Sequence, residues 1–280
     1  MSQTYSQQLG FQLVQALVVS PQQAMFWQQP NLAGNRMHIL AASNGHSWLR
    51  LVEDKHAPYD NALLRPGWMS LEINVRDVDA IAKRLTSGFE IISPPAYLQL
   101  SNAIKAMQVQ GPMGEVLYLT QIDSPVPPFE LPMTEADIGD LFIPVLATTN
   151  REHTLGFYQR LHDADQGLMF DTKITALSKA RNNPLEHQYP VATLQLKGQT
   201  LLEIDEISDE QLSSLSDTRL PSGIAMVTIA TEDIELLSEK LDRPIIDLDN
   251  HYQGHYCDNC RALFVQGTAG EWIEFIEARY

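Results

Sequence analysis

The chain repeats itself at a fixed distance of 156 residues, with no gap. Residues 67–79 (GWMSLEINVRDVD) align with residues 223–235 (GIAMVTIATEDIE), and residues 109–115 (VQGPMGE) align with residues 265–271 (VQGTAGE). A self-match at a constant period indicates that each copy is one supersecondary unit, so the repeat constrains the architecture more than any other feature. It also allows candidate functional positions to be compared between the two copies.

Composition indicates an ordinary globular protein of about two domains, since the chain has 280 residues, of which 44% are hydrophobic and 19% charged. The net charge of −16 argues against partners such as nucleic acid or an anionic membrane, because both need a basic footprint. No stretch reaches the roughly 18 apolar residues of a membrane span. Residues 1–10 lack the features of a signal peptide, and the chain has two cysteines. We therefore expect a cytoplasmic protein.

A proline-rich acidic stretch divides the chain into two halves. Residues 123–140 contain four prolines, a composition that disfavours both helix and strand and therefore predicts a linker. We accordingly predict an N-terminal domain of residues 1–122 and a C-terminal domain of residues 141–280.

Each half contains the same order of elements. Residues 69–75 alternate apolar and polar side chains, which predicts a half-buried strand. Asp77 is a good N-cap for a following helix whose apolar residues recur at helical spacing. The further predicted elements are a weak strand near residues 97–100, strands 106–110 and 115–122, and in the second copy a strand at 227–231, a helix at 233–241 and strands 262–266 and 271–277.

The two remaining quarters fit the same β-α-β-β-β template more loosely. Residues 11–54 predict a first strand around residues 13–19, a short helix containing residues 24–27 and a hairpin at Asn44-Gly45. Residues 141–207 predict a strand at 142–148, a helix capped by Asn150, an added helix at 171–181 and a hairpin at Lys197-Gly198. The sequence therefore predicts four modules in two pairs.

Four such modules resemble the vicinal oxygen chelate superfamily, which includes glyoxalase I, methylmalonyl-CoA epimerase, bleomycin-resistance proteins and extradiol dioxygenases. Residues 150–158 (NREHTLGFY) are similar to the family's Asp-x-x-x-Ala-x-x-Phe-Tyr pattern, and residues 75–80 (VRDVDA) and 270–275 (GEWIEF) also fit. The resemblance implies an α+β fold of four βαβββ modules, paired into two glyoxalase-like domains with cupped mixed sheets. We expect the first module to pair with the second, and the third with the fourth.

The resemblance also implies where a metal would bind, because the family's ligands come from the first and last strands of each module. Where glyoxalase-like enzymes usually carry a histidine and a glutamate, the second module has Ser70 and Tyr118, and the fourth has Met226 and Glu274. The other corresponding positions are a residue near Leu13 and Arg50 in the first module, and Ile143 and Glu203 in the third. None of the eight histidines lies at these positions, so we expect no cofactor and no metal. A hard divalent cation at Glu203 and Glu274 has little support.

Several polar and aromatic residues are candidate site residues in the two expected cups. A guanidinium beside hydroxyl, amide and aromatic groups suits a small anionic or aromatic ligand; the alternative is an Arg50–Glu72 ion pair that fills the cup. In the second cup Glu203 and Glu274 are candidate catalytic carboxylates that take a proton α to a carbonyl; the alternative is two separate solvated carboxylates. The candidate ligand-binding residues are Trp48, Arg50, Ser70, Glu72, Asn74, Tyr118, Met226 and Trp272.

One further cluster has metal-ligand chemistry. His251, His255, Cys257 and Cys260 lie within ten residues, and neutral imidazoles with thiolates could hold zinc. The spacing matches no standard zinc finger, and the alternative interpretation is a polar loop before a strand.

The function that these observations favour is a metal-independent protein that binds a small organic molecule in a cupped sheet. The alternative is a divergent lyase or isomerase that acts on a carbonyl substrate through Glu203 or Glu274. A third reading is an interaction protein whose cups are filled by side chains. We expect a monomer with pseudo-dimeric halves or a homodimer, with a small molecule as its partner.

Overall fold

The computed structural model of the chain describes residues 1–59, 61–99, 101–162, 167–208, 219–248 and 261–277. Its elements fall into four modules. The first module contains α1 (Ser2–Thr4), a π-helical continuation (Tyr5–Leu9), β1 (Gln12–Val18), α2 (Pro21–Phe26), β2 (Arg36–Ala41) and β3 (Ser47–Val52). The second contains β4 (Gly67–Val75), α3 (Val78–Arg84), β5 (Glu90–Leu98), β6 (Ser101–Gln110) and β7 (Val116–Ile122).

The third and fourth modules complete the chain. The third contains β8 (Ile138–Thr148), α4 (Arg151–His162), β9 (Gly167–Lys173), α5 (Thr175–Arg181), β10 (Gln188–Gln195) and β11 (Leu201–Glu206). The fourth contains β12 (Val227–Thr231), α6 (Ile234–Leu241), β13 (Ile246–Asp247), β14 (Arg261–Gln266) and β15 (Trp272–Glu277). Short 3-10 turns lie at Pro30–Leu32 and Ala62–Leu64. Among the described residues no helix is long and apolar enough to cross a membrane.

Three helices begin with a side-chain N-cap, at or near the positions that the sequence predicts. Asp77 Oδ1 accepts a hydrogen bond from Ala80 N at 2.9 Å, and Asn150 Oδ1 accepts one from His153 N at 2.9 Å. Asp233 caps α6 in the same way. Because each cap satisfies a backbone N–H that has no partner within its helix, these residues fix where the helices start.

The sheets pair the modules across the predicted linker. One eight-stranded sheet has the order β5-β6-β7-β4-β8-β11-β10-β9, so β4 of the second module pairs antiparallel with β8 of the third. The first module forms a three-stranded sheet and the fourth a four-stranded sheet, and a shared apolar cluster joins these two. The expected pairing of modules in sequence order is therefore wrong. Residues 123–137 form no helix or strand, whereas β8 already begins at Ile138, within the predicted linker.

The first module also differs from the expectation. The strand around Leu13 does not occupy the position of the first strand in the β-α-β-β-β template. β1 pairs antiparallel with β2 in the order β1-β2-β3, as β5 pairs with β6 in the second module, so β1 corresponds to β5. The helical segment at residues 2–9 corresponds instead to α4. Tyr5 donates to Glu115 Oε1 at 2.9 Å, and Tyr158 of α4 donates to Glu271 Oε1 at 2.6 Å. The described elements of the first module therefore have the order α-β-β-β, with α2 inserted after β1.

The repeated VQGxxGE segments form the same turn in both copies, and the contacts within this turn explain why their sequences match. The Glu115 carboxylate folds back over Gly111, and the Glu271 carboxylate folds back over Gly267. A Cβ atom at either glycine would lie 2.1 Å from a carboxylate oxygen, so no larger residue fits without displacing the glutamate. The second carboxylate oxygen of each glutamate accepts a backbone N–H of its own turn at 2.8 Å. The sequence match between these segments therefore reflects a structural turn.

We predict that Gly111→Ala and Gly267→Ala each lower the free energy of unfolding by about 1–3 kcal/mol, because the displaced carboxylate leaves its buried donors without a partner. Urea denaturation monitored by circular dichroism measures the loss. Gly156→Ala is the matched control: this glycine is inside α4 with only Arg160 near its Cβ position, at 3.5 Å. That substitution should raise stability by up to about 1 kcal/mol. Equal effects at all three glycines would contradict the explanation.

Candidate functional site

A fully buried glutamate lies at the centre of the cup that modules one and four form. Glu274 on β15 has an exposed fraction of 0%. Its carboxylate accepts hydrogen bonds from Trp27 Nε1 at 2.9 Å, Arg50 Nη2 at 3.0 Å and Thr228 Oγ1 at 2.6 Å. A buried carboxylate is tolerated when charge and hydrogen bonds compensate for its lost hydration, and these three donors supply both.

Arg50 on β3 reaches this glutamate from the opposite sheet. Its side chain is 8% exposed, and its guanidinium carbon lies 4.7 Å from the centre of the Trp27 ring. The same Nη2 atom lies 3.4 Å from Met226 Sδ. Trp272 belongs to the same cluster, where it stacks on Phe264 with ring centroids 5.0 Å apart. The structure thus brings together four of the predicted residues: Arg50, Met226, Trp272 and Glu274.

The arrangement does not fit a divalent metal. The resemblance makes Arg50, Met226 and Glu274 metal-ligand positions, yet here the guanidinium is a fixed cation against the single carboxylate. A thioether beside one carboxylate also mixes soft and hard donors that different metals prefer. Within the described residues no group of three or more His, Cys, Asp or Glu side chains could hold a metal ion. Arg50 occupies the position from which a metal ligand would be expected and supplies positive charge itself.

A cavity of about 1230 Å³ opens beside this centre. Trp27, Arg50, Met226 and Thr228 line it, together with apolar residues of the core such as Leu161 and Leu237. The cavity extends along two strand edges, because residues 48–55 around β3 and residues 220–233 around β12 line it without interruption. The positively charged and aromatic groups therefore face a space large enough for a ligand.

The cup of modules two and three has a different character. Ser70, Glu72 and Tyr118 lie buried in it, and the Glu203 side chain is partly buried beside Asp205 on β11. Helix α5 packs into the same cup through Ala176 and Leu177, together with residues of β4, β7 and β8. Apolar side chains therefore occupy much of the space where a ligand would bind.

Three carboxyl groups in this filled cup hold protons more tightly than usual. Burial and the charge of Glu203 raise the pKa of Glu72 to about 8, against the hydrogen bond that Thr120 donates at 2.7 Å. Burial also raises the pKa of Asp205 to about 8, with the charge of Glu72 adding to the shift. Burial and the neighbouring Asp205 raise the pKa of Glu203 well above its ordinary value. Near neutral pH Glu72 and Asp205 are therefore largely protonated.

Sequence reasoning missed Asp205, although a signal was present. Glu203 and Asp205 are two residues apart on one strand, so their side chains point to the same face. The pair could have been recognised once Glu203 was assigned to the cup.

Several expected groupings are wrong. Glu203 and Glu274 do not converge on one cup, since β11 and β15 belong to different sheets. Arg50 pairs with Glu274 and not with Glu72, because the first module faces the fourth. The predicted first cup of Arg50, Ser70, Glu72 and Tyr118 is therefore divided between two sites.

Two further candidates have structural roles at the junction with β8. Trp48 Nε1 donates to the Gly139 carbonyl at 3.1 Å, and its ring packs edge-on against Phe11. Asn74 Oδ1 accepts from Asp140 N at 2.7 Å. The candidate zinc cluster, His251, His255, Cys257 and Cys260, lies outside the described residues.

We predict that the chain becomes less stable as pH rises from about 5 to 8. The folded-state pKa values of Glu72 and Asp205 lie above their ordinary values of 4.5 and 3.8. Between the two values the folded chain keeps protons that the unfolded chain releases, so the free energy of unfolding falls as pH rises. Urea denaturation across this pH range measures the slope.

The matched variant for this prediction is Glu72→Gln. The glutamine side chain keeps an oxygen that can accept the Thr120 hydrogen bond, but it cannot ionise. It should make the decline between about pH 5 and 8 shallower, because Asp205 alone then contributes to it. A slope that is identical in the variant and the unaltered chain would show that Glu72 titrates normally in the folded state.

Comparison with solved structures supports the fold. Glyoxalase I from Zea mays superposes with a TM-score of 0.62 and 16% identity, over 99% of this chain and 86% of that one. A putative dioxygenase from Bacillus subtilis subsp. subtilis str. 168 superposes with a TM-score of 0.57 and 10% identity, over 100% of this chain and 81% of that one. No protein-family model matches the chain, and no curated protein matches it in sequence. At these identities the likeness concerns the fold alone, and the chain has a glyoxalase-like fold.

Proposed function

We propose that this chain is a metal-independent binding protein with the glyoxalase-like fold, and that it holds a small organic anion in the cavity beside Arg50. The observation that carries the proposal is the Arg50 guanidinium, fixed between Glu274 and the Trp27 ring at the wall of the cavity. A guanidinium offers five N–H donors in a planar fork, which suits a carboxylate ligand. Trp27 and Met226 add polarisable apolar surface for the body of the ligand.

The same charge arrangement supports metal independence. A divalent ion near Glu274 would have to displace or approach a guanidinium that is already paired at 3.0 Å. Repulsion between two cations in a site of low polarity is strong, so the paired arginine opposes metal binding. The permanent positive charge of arginine attracts an anionic ligand, so no metal ion is needed for that attraction.

The lyase or isomerase alternative has less support from this geometry. Both oxygens of Glu274 already accept hydrogen bonds, from Trp27, Arg50 and Thr228, so its carboxylate is poorly placed to take a proton from a substrate. Glu203, the other candidate base, lies in the cup that α5 fills. The interaction-protein alternative required filled cups, and the cavity beside Arg50 argues against it.

Thermal denaturation with benzoate, and with neutral benzamide as the matched probe, tests the proposal. After treatment with a chelator, benzoate should raise the melting temperature of the chain, because a ligand that binds only the folded state stabilises that state. Benzamide should raise it less, because it lacks the negative charge. The double variant Arg50→Met/Glu274→Gln, which replaces the ion pair with neutral side chains, should lose the benzoate shift.

Arg36→Met is the control, since Arg36 also lines the cavity but is exposed and paired with Glu53. It should keep the benzoate shift. A shift that survives in the double variant, or one that requires added metal, would overturn the proposal.

A further inference from the structure

A second cavity, of about 400 Å³, lies at the carboxyl ends of the parallel strands β8 and β11. Thr149 and residues 206–208 line it from these strand ends, together with residues at the end of α5 and the start of β10. It shares no lining residue with the cavity beside Arg50. The two cavities are therefore separate places for a ligand.

Arg181, the last residue of α5, brings a buried positive charge to this second cavity. The residue is 3% exposed. Within the part of the chain that the structure describes, none of its three guanidinium nitrogens has a hydrogen-bond partner. Burial lowers the pKa of Arg181, and the neighbouring Tyr189 opposes this shift. Because a buried charge without a partner is costly, the guanidinium has a strong tendency to bind an anion.

The end of α5 does not need this guanidinium as a cap. Asn182 has a left-handed backbone conformation with a φ of 55°. Its N–H donates to the Lys179 carbonyl at 3.4 Å, and the Asn183 N–H donates to the Ser178 carbonyl at 2.9 Å. These two bonds form a Schellman motif, which satisfies the last carbonyl groups of a helix. The backbone therefore completes the helix end without Arg181.

A nearby arginine shows how a structural guanidinium is held in this fold. Arg151, at the start of α4, donates from Nη1 to the carbonyls of Phe170 and Val191 at 3.3 and 3.1 Å. Arg181 has no such acceptor among the described residues. We therefore interpret Arg181 as a group that binds a ligand.

The other polar residues of the cavity suit an anion with several oxygens. Thr149, Asn183, His187 and Ser208 line it and carry hydroxyl, amide and imidazole groups. A phosphate group can accept hydrogen bonds from several such side chains at once. Asn183 Nδ2 donates to the Tyr189 hydroxyl at 3.1 Å, and the His187 ring packs edge-on against Tyr189 with centroids 4.7 Å apart. These contacts hold one side of the cavity in place.

One acidic residue, Glu206, also lines the cavity. Its Oε2 atom accepts a hydrogen bond from Arg151 N at 2.8 Å, at the start of the 12-residue helix α4. The N-terminal end of a helix dipole stabilises a negative charge, so the carboxylate of Glu206 is compensated there. Arg181 keeps its positive charge for a ligand.

We propose that this cavity is a second ligand site, in which Arg181 binds the phosphate group of a small organic molecule. The planar guanidinium can donate to two phosphate oxygens at once. The volume of about 400 Å³ lies within the roughly 300–1000 Å³ of pockets for small organic molecules, so the phosphate belongs to such a molecule. Tyr189, Pro190 and Ile207 add apolar surface for its organic part.

Thermal denaturation with glycerol phosphate tests the proposal, with sodium chloride at the same ionic strength as the baseline. The baseline is needed because salt screens the repulsion within a chain of net charge −16. Glycerol phosphate should raise the melting temperature by at least about 3 °C above the baseline. Inorganic phosphate should raise it less, and an equal rise would overturn the organic part of the ligand.

Variants of Arg181 assign the effect to this site. Arg181→Met should lose the rise and should melt no lower than the unaltered chain in chloride, because an unpaired buried charge is removed. Arg181→Lys keeps the charge and should bind glycerol phosphate at least about fivefold more weakly, because an ammonium lacks the planar fork. This second variant decides the matter if Arg181→Met does not fold.

Lys179→Met is the matched control. It removes a positive charge from the same helix, but Lys179 does not line the cavity and donates to the Ile92 carbonyl. It should keep the whole rise.

Three outcomes would overturn the inference. They are a rise that persists in Arg181→Met, an Arg181→Met chain that melts well below the unaltered chain in chloride, and equal affinity in Arg181→Lys. A rise that disappears in Arg50→Met/Glu274→Gln and persists in Arg181→Met would place the phosphate beside Arg50 instead. The benzoate shift should be unchanged in Arg181→Met, so each of the two proposals can fail while the other stands.

Discussion

The antiparallel pairing of β4 with β8 determines where every other module lies. Leu71 pairs with Pro144 at the middle of this contact, and Val75 pairs with Ile138 at its end. Because these two strands belong to adjacent modules, their pairing places the second and third modules in one continuous sheet. The first and fourth modules, at opposite ends of the chain, are then the pair that remains. Their contact brings Arg50 to Glu274, which are 224 residues apart.

The two cups balance buried charge in opposite ways. Around Glu274 a guanidinium and two further hydrogen-bond donors compensate the buried carboxylate. Around Glu72, Glu203 and Asp205 the shared burial and mutual repulsion raise the pKa values, so protons take the place of a cation. One cup therefore keeps a fixed ion pair beside a large cavity, whereas the other holds largely neutral carboxyl groups beneath α5. The duplicated scaffold therefore offers a candidate ligand site in the cup of modules one and four, and not in the cup of modules two and three.

Local features of the sequence predicted the elements well. The caps at Asp77 and Asn150 and the hairpin at Asn44-Gly45 depend on a few neighbouring residues, and the sequence shows them directly. The pairing of modules depends on contacts between β4 and β8 that no local pattern specifies, so sequence order was a wrong guide. Leu13 illustrates a second limit: β1 carries apolar residues on an exposed outer strand, where Leu13 is 50% exposed. Its composition therefore resembles that of a buried first strand.

The central claim is that the Arg50 guanidinium takes the role of a metal cation at Glu274. Calorimetric titration with Mn²⁺ tests it most directly, using the unaltered chain and the double variant Arg50→Glu/Met226→His, which supplies an imidazole and a second carboxylate around Glu274. The account predicts no heat of binding that depends on Glu274 in the unaltered chain, and binding in the double variant. Stoichiometric binding to the unaltered chain that disappears in Glu274→Gln would contradict it.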